Sequence, residues 1–222
     1  MSQVNISISS ELKEKCPGMA LGTIQCTIKN SPYKHSLWRE IEEVSSQVQK
    51  EYQLETIKNN KMITATRNMY LACGKKPGRY RPAAEALMRR IVKGMELYKI
   101  NTLVDLVNLV SLKTGYSIGG FDAGNIEGKV TASIGRENEP YHGIGRGQFN
   151  IYMLPVLRDE QGAIGTPTSD EIRTAIQLET TQFLMNINGY SGAEDLKEVL
   201  DYSVELLKKY VDATDIKVEI IE

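Results

Sequence analysis

Only two histidines, His35 and His142, occur among the 222 residues, and they lie far apart. A histidine-built zinc site is thereby excluded as a working expectation, and a serine–histidine triad has few places to form. Three cysteines, Cys16, Cys26 and Cys73, are odd in number and widely spaced. They supply neither a metal-ligand pattern nor a disulfide framework. No apolar run approaches the roughly 18 residues of a spanning helix, and no charged–apolar–small leader opens the chain. The sequence therefore reads as cytoplasmic, without membrane partners. An excess of one charge is lacking too: the formal net charge is −1, so bulk electrostatics selects no partner.

The distribution of charge says more. Between residues 75 and 99 stand eight basic residues (Lys75, Lys76, Arg79, Arg81, Arg89, Arg90, Lys93, Lys99) against two acids, Glu85 and Glu96. Such a stretch is either a solvated helix face or a surface for polyanions. Hydrophobic residues at 41% and charged residues at 25% are ordinary for a globular chain with a sizeable core.

Periodicity predicts a mixture of elements. Val4, Ile6 and Ile8 alternate as a short strand, a brief helix follows over 10–15, and residues 19–30 form a second strand. Leu37, Ile41, Val44 and Val48 recur at helical spacing, with Ser31 as the expected cap. Further helices are expected over 63–73, from Pro82 onward, at the start of 102–122, where a buried helix runs into a glycine turn, and after a Ser191 cap; residues 216–221 form a closing strand. Residues 129–170 read as several short strands with tight turns, while 169–189 mixes both signals. The fold expected is α+β, a single domain (1–222) of mixed sheets packed with helices.

In the apolar helix that opens the stretch 102–122, Asp105 and Asn108 share a polar stripe with Asn101 one turn earlier. Either they hydrogen-bond to neighbouring backbone and lock one element to another, or they line a polar pocket. The sequence Gly119-Gly120-Phe121-Asp122 then reads as a tight glycine turn, or as bare main chain against a ligand. "GIGRG" (143–147) lacks the lysine and setting of a phosphate loop and reads as a mobile hairpin carrying His142 and Arg146. A polar cluster at Thr166, Thr168, Ser169, Asp170 and Arg173 follows Gly165. Ser169 or Asp170 is expected to cap a helix there, whose N–H groups would face an anion or carbonyl oxygen.

"INTLVDLVNLVSLKTGYSIGGFDAGNIEG" (100–128) resembles the editing module of the bacterial phenylalanyl-tRNA synthetase beta subunit. The family pattern is matched at Ile100, Asn101, Val104, Asp105, Asn108, Phe121, Asp122, Ile126 and Gly128. "GRYRPAAEALMRRIVKG" looks like the version found in free-standing proteins of this type. The resemblance covers roughly residues 75–190, with 1–74 and 191–222 completing the core. It implies binding of the tRNA acceptor end and hydrolysis, in trans, of an amino acid wrongly attached to tRNA, with no cofactor, no metal and no DNA partner. The chain departs from the pattern at Gly119, where the module commonly has histidine, and at Pro167, where it has the glutamate that recognises tyrosine; tyrosine specificity is not carried over.

On this reading Asp170 or Asp122 holds the water or substrate amine. Gly119, Gly120 and the Thr168–Ser169 backbone cradle the ester. Phe121, Asn108, His142, Gly165 and Thr166 complete the pocket, and Lys75, Lys76, Arg79 and Arg81 contact phosphates. The rival expectations are an inactive RNA-binding module and a binder of amino acids or other small molecules on the same scaffold.

Overall fold

A computed structural model describes residues 3–222. In chain order the strands are β1 (Ile6–Ile8), β2 (Ala20–Thr27), β3 (Ile118–Asp122), β4 (Val130–Ile134), β5 (His142–Gly143), β6 (Gly147–Gln148), β7 (Pro155–Arg158), β8 (Ala163–Gly165), β9 (Gln182–Gly189) and β10 (Thr214–Ile221). The helices are α1 (Ser10–Lys15), α2 (His35–Glu51), α3 (Lys61–Ala72), α4 (Ala83–Val92), α5 (Thr102–Thr114) and α6 (Leu196–Val211).

Two four-stranded sheets stack face to face. The first has the order β10-β2-β9-β3 and is antiparallel throughout; the second, β1-β4-β7-β8, is antiparallel except for the β1–β4 pair. The alternation of strand side chains divides the first sheet between two cores. Ile24, Cys26, Phe183, Met185, Ile187 and Ile118 pack against α2, α4, α5 and α6. Leu21, Leu184 and Phe121 point the other way, onto Val130, Ala132, Leu157 and Ile164 of the second sheet, with Leu12 and Met69 at the margin. Helices, sheet and sheet thus form three layers, and the α+β expectation holds.

The polar stripe on α5 divides as well. Asn101 caps the helix, its side chain accepting the Val104 N–H at 3.0 Å. Asp105 is buried, accepting from Trp38 Nε1 at 2.7 Å and from the Ile100 N–H at 3.1 Å. It therefore locks α2 and the 94–100 segment onto α5. Burial raises the Asp105 pKa, and those two hydrogen bonds with the nearby Lys99 oppose the rise.

Three boundaries differ from expectation. Ser31 does not cap α2: the helix begins at His35, after Lys34, with no side-chain cap, while Ser31 Oγ bonds Thr102 Oγ1 at 2.7 Å. Ser191 does not cap α6, which starts at Leu196; its hydroxyl lies 3.2 Å from Met62 Sδ. Gly119-Gly120-Phe121-Asp122 is not a turn but the body of β3, fully paired with β9, and neither glycine has positive φ. The turn sits earlier, at Gly115, which ends α5 in the left-handed region. Among the described residues no helix is long and apolar enough to cross a membrane.

Candidate active site between the two sheets

The residues flanking β8 build the site. After Gly165 the chain bends through Thr166–Ser169, and Thr166 Oγ1 organises the bend. It accepts the N–H groups of Thr168 and Ser169, both at 3.1 Å, and donates to the Ser169 carbonyl at 3.0 Å. This local side-chain-to-backbone pattern competes with helix formation. The expected helix is accordingly missing: only a single 3₁₀ turn, Ile172–Thr174, forms, and Glu171 caps it rather than Ser169 or Asp170. The amides expected to face a ligand are already used by Thr166, so the Thr168–Ser169 backbone is not an ester cradle.

Neighbouring elements hold the bend from behind. Thr168 Oγ1 bonds the buried Tyr70 hydroxyl at 2.8 Å, and Tyr141 donates its hydroxyl to the Ser169 carbonyl at 2.6 Å. Pro167 accepts the Ala83 N–H at 2.8 Å, tying the start of α4 to the bend. The β5–β6 hairpin closes the outer side, where Ile144 N–H donates to the Asp170 carbonyl at 2.9 Å and Ser169 Oγ to the Ile144 carbonyl at 3.3 Å.

Asp170 is thereby aimed at β3. Its Oδ2 accepts the Gly120 N–H at 3.2 Å. Its Oδ1 lies where the glycines make room: a Cβ on Gly165 would stand 2.8 Å from it, and one on Gly119 3.5 Å. The Phe121 ring claims the same space, 2.6 Å from either position. Both glycines are required by this close approach, since Phe121 is fully buried and has nowhere to retreat. Burial pushes the Asp170 carboxyl up to about 7, and the single Gly120 N–H only partly opposes that rise. No salt bridge reaches it among the described residues.

Between the sheets, beside Asp170, is a cavity of about 10 Å³, room for one water. Gly119, Phe121, Gly165, Thr166 and Asp170 line it, together with the β9 asparagines Asn186 and Asn188. Asn186 pairs in register with Gly119, which places its side chain on the cavity side of the sheet. The orientation of its amide follows from a relay. The Ser117 carbonyl accepts from Asn188 Nδ2 at 2.9 Å, so Asn188 Oδ1 faces Asn186 Nδ2 and accepts at 3.0 Å. Asn186 Oδ1 is left buried without a protein partner.

The remaining predicted pocket residues lie elsewhere. Asn108 belongs to α5, on the helical side of the first sheet, and does not line the cavity. His142 is an exposed residue of the β5–β6 hairpin, likewise outside it. Asp122 accepts from the Gly124 N–H at 3.0 Å and from Thr180 Oγ1 at 2.7 Å, holding the end of β3. Gly120 spends its N–H on Asp170 and faces Val107 and Ile176 on the other side.

Lys75, Lys76, Arg79 and Arg81 share the segment joining α3 to α4, next to the bend. Lys75 Nζ stands 4.4 Å from the Tyr80 ring centroid and Arg81 lies 3.7 Å from Glu85, whereas Lys76 and Arg79 are exposed. Asn186 and Asn188 were missed by sequence reasoning. Their signal is two amides at alternate positions of an otherwise apolar strand, "FLMNING". No group of three or more metal-ligating acids, histidines or cysteines occurs among the described residues.

Comparison with known proteins bears on the scaffold. The curated proteins return no match. Among solved structures, an N-terminal fragment of the phenylalanyl-tRNA synthetase beta subunit from Pyrococcus horikoshii is similar at 12% identity with a TM-score of 0.45, covering 99% of this chain. The chain spans about half of that fragment, 51% of its length. A family model, that of the B3/4 domain, matches residues 65–212, taking in most of α3, all of α4 to α6 and every residue lining the cavity except Leu12 and Met19. This chain belongs to the B3/4 domain family, a domain of phenylalanyl-tRNA synthetase beta subunits.

Proposed function

We infer that this chain hydrolyses the ester of mischarged aminoacyl-tRNA in trans, releasing the amino acid from the tRNA acceptor end. The observation that carries this reading is the Asp170 carboxyl, half-buried as a residue, raised to about 7 by desolvation and bordering a water-sized cavity. A general base works best when its pKa lies near the operating pH. On this reading a water held in the cavity donates to Asp170 and to Asn186 Oδ1, whose residues both line it, and keeps a lone pair for attack on the ester carbonyl carbon. The water's oxygen bonds to the carbonyl carbon and its proton passes to the Asp170 carboxylate. The carbon–oxygen bond to the ribose then breaks, and the ribose oxygen takes the proton back. An aminoacyl ester is already activated, so placement of the water supplies much of the acceleration. The neighbouring ribose hydroxyl assists the departing oxygen. Lys76 and Arg79, exposed on the segment that joins α3 to α4, meet the phosphates.

Incubation with a panel of mischarged tRNAs tests the reading. At least one member should be deacylated above its spontaneous rate, with a rate that climbs as pH rises through about 7 and Asp170 ionises. No acceleration on any member would remove the hydrolase and leave an RNA-binding module.

A further inference from the structure

Away from the cavity, the segment 94–100 and Tyr33 carry an unusual concentration of uncovered large side chains: Tyr98 is 67% exposed, Ile100 57%, Met95 43% and Tyr33 42%. The two strips are joined rather than merely adjacent. The Ser31 carbonyl accepts the Thr102 N–H at 2.8 Å, and Asn30 Oδ1 the Leu103 N–H at 3.1 Å. Cations are interleaved with the rings. The Arg90 guanidinium lies 4.0 Å from the Tyr98 centroid and bonds its hydroxyl at 3.2 Å. Lys99 Nζ lies 5.5 Å from Tyr33 and 5.0 Å from Trp38, whose ring stacks on Tyr33. Lys93 is exposed beside them, and none of Arg90, Lys93 or Lys99 forms a salt bridge among the described residues.

We propose that this patch, built on Tyr33, Tyr98, Arg90 and Lys99, is a second RNA contact that stacks the unpaired bases of a single-stranded stretch. Exposed ring faces accept any base, and cations alongside take the phosphates between successive bases. An apolar protein partner would bury Arg90, Lys93 and Lys99 with Glu96 as the one acid of this segment and no ion pair to it among the described residues, which is costly. A duplex offers no free base faces to Tyr33 and Tyr98. The assignment rests on the RNA-directed reading above, but concerns a surface distinct from the hydrolytic cavity.

Fluorescence anisotropy with a labelled single-stranded RNA decamer, a duplex of equal length and anionic vesicles tests it on the full chain. The decamer should bind more tightly than the duplex. Tyr98→Ala should weaken it about tenfold, Tyr98→Phe should retain most of the affinity, and Lys99→Glu should flatten the salt dependence. Because Tyr98 is largely exposed, circular dichroism should show the Tyr98→Ala fold intact. Undiminished decamer binding by Tyr98→Ala, equal affinity for the duplex, or binding to vesicles alone would overturn the proposal. Deacylation is scored separately: activity with unchanged RNA affinity in Tyr98→Ala sinks this patch and spares the hydrolase, while lost affinity without any deacylation does the reverse.

Discussion

Asp159 and Asp170 flank the same short strand, β8, and the protein treats them in opposite ways. Asp159 is fully buried and receives five donors: both terminal nitrogens of Arg173 at 2.9 Å, and the N–H groups of Glu127, Gln161 and Gly162. Burial alone would raise its pKa, but Arg173 and the backbone donors outweigh that and hold it below the usual carboxylate range. Asp170 has one backbone donor, no cation and a cavity at its side, and is raised to about 7. A fully satisfied buried acid fastens loops together. An undersatisfied one stores electrostatic strain that a substrate or water can use.

The largest effect should come from changing Asp170, the member to which the proposed hydrolysis assigns the proton. Asp170→Asn keeps shape and the Gly120 hydrogen bond but cannot take a proton, so deacylation should fall by about a hundredfold or more. Stability should move the other way. With its pKa raised on folding, Asp170 stays protonated in the native state between about pH 4 and 7 while the unfolded chain has ionised, so stability falls as pH rises through that window. The Asn variant escapes this loss and should be more stable by about 1–3 kcal/mol at pH 8, with the advantage vanishing near pH 4, measured by urea unfolding at both pH values. A variant less stable at pH 8 would put Asp170 in the same class as Asp159.

Asp159→Ala should cost about 3 kcal/mol, because Arg173 and three amides lose their acceptor. The sign of its pH dependence is opposite. A lowered folded pKa contributes stability that is present above the unfolded value and lost as pH falls through the folded one, so the gap between Asp159→Ala and the parent should close in acid. Urea midpoints from pH 7 down to pH 3 check it.

The smallest effect concerns the space around Asp170. Gly119→Ala should cost about 2 kcal/mol, since its methyl would meet the Phe121 ring and crowd Asp170. Gly78→Ala, with nothing within 4 Å, should change stability by less than about 0.5 kcal/mol. Equal thermal midpoints for the two variants would deny that the glycine opposite Asp170 is there to make room.

Much of the scaffold was legible because it repeats. The apolar spacing of α2, α5 and α6, the β2 strand and the locking role of Asp105 all follow from periodicity and from the need to satisfy a buried carboxylate. The site was legible in parts. Asp170, Gly119, Phe121, Gly165 and Thr166 do meet at one cavity. Paired glycines suggest a turn because their conformational freedom is the local signal, whereas in β3 what counts is the absence of volume, opposite Phe121 and Asp170 at Gly119 and against Ile176 and Val107 at Gly120, a nonlocal demand. Asn186 lay in a stretch whose amides blurred the strand pattern, although they occupy one face of it. Asn108 and Asp122 belonged to the recognised segment but face other layers, since neither a helix nor a strand directs all its polar residues one way.

Gly120 gives this arrangement a consequence at a distance. Among the described residues its N–H is the sole hydrogen-bond donor to the Asp170 carboxylate, while a Cβ at this position would stand 3.0 Å from Ile176 and 3.4 Å from Val107 of α5. Packing from the helical layer and the hydrogen bond at the sheet edge therefore meet in one residue that has no side chain of its own.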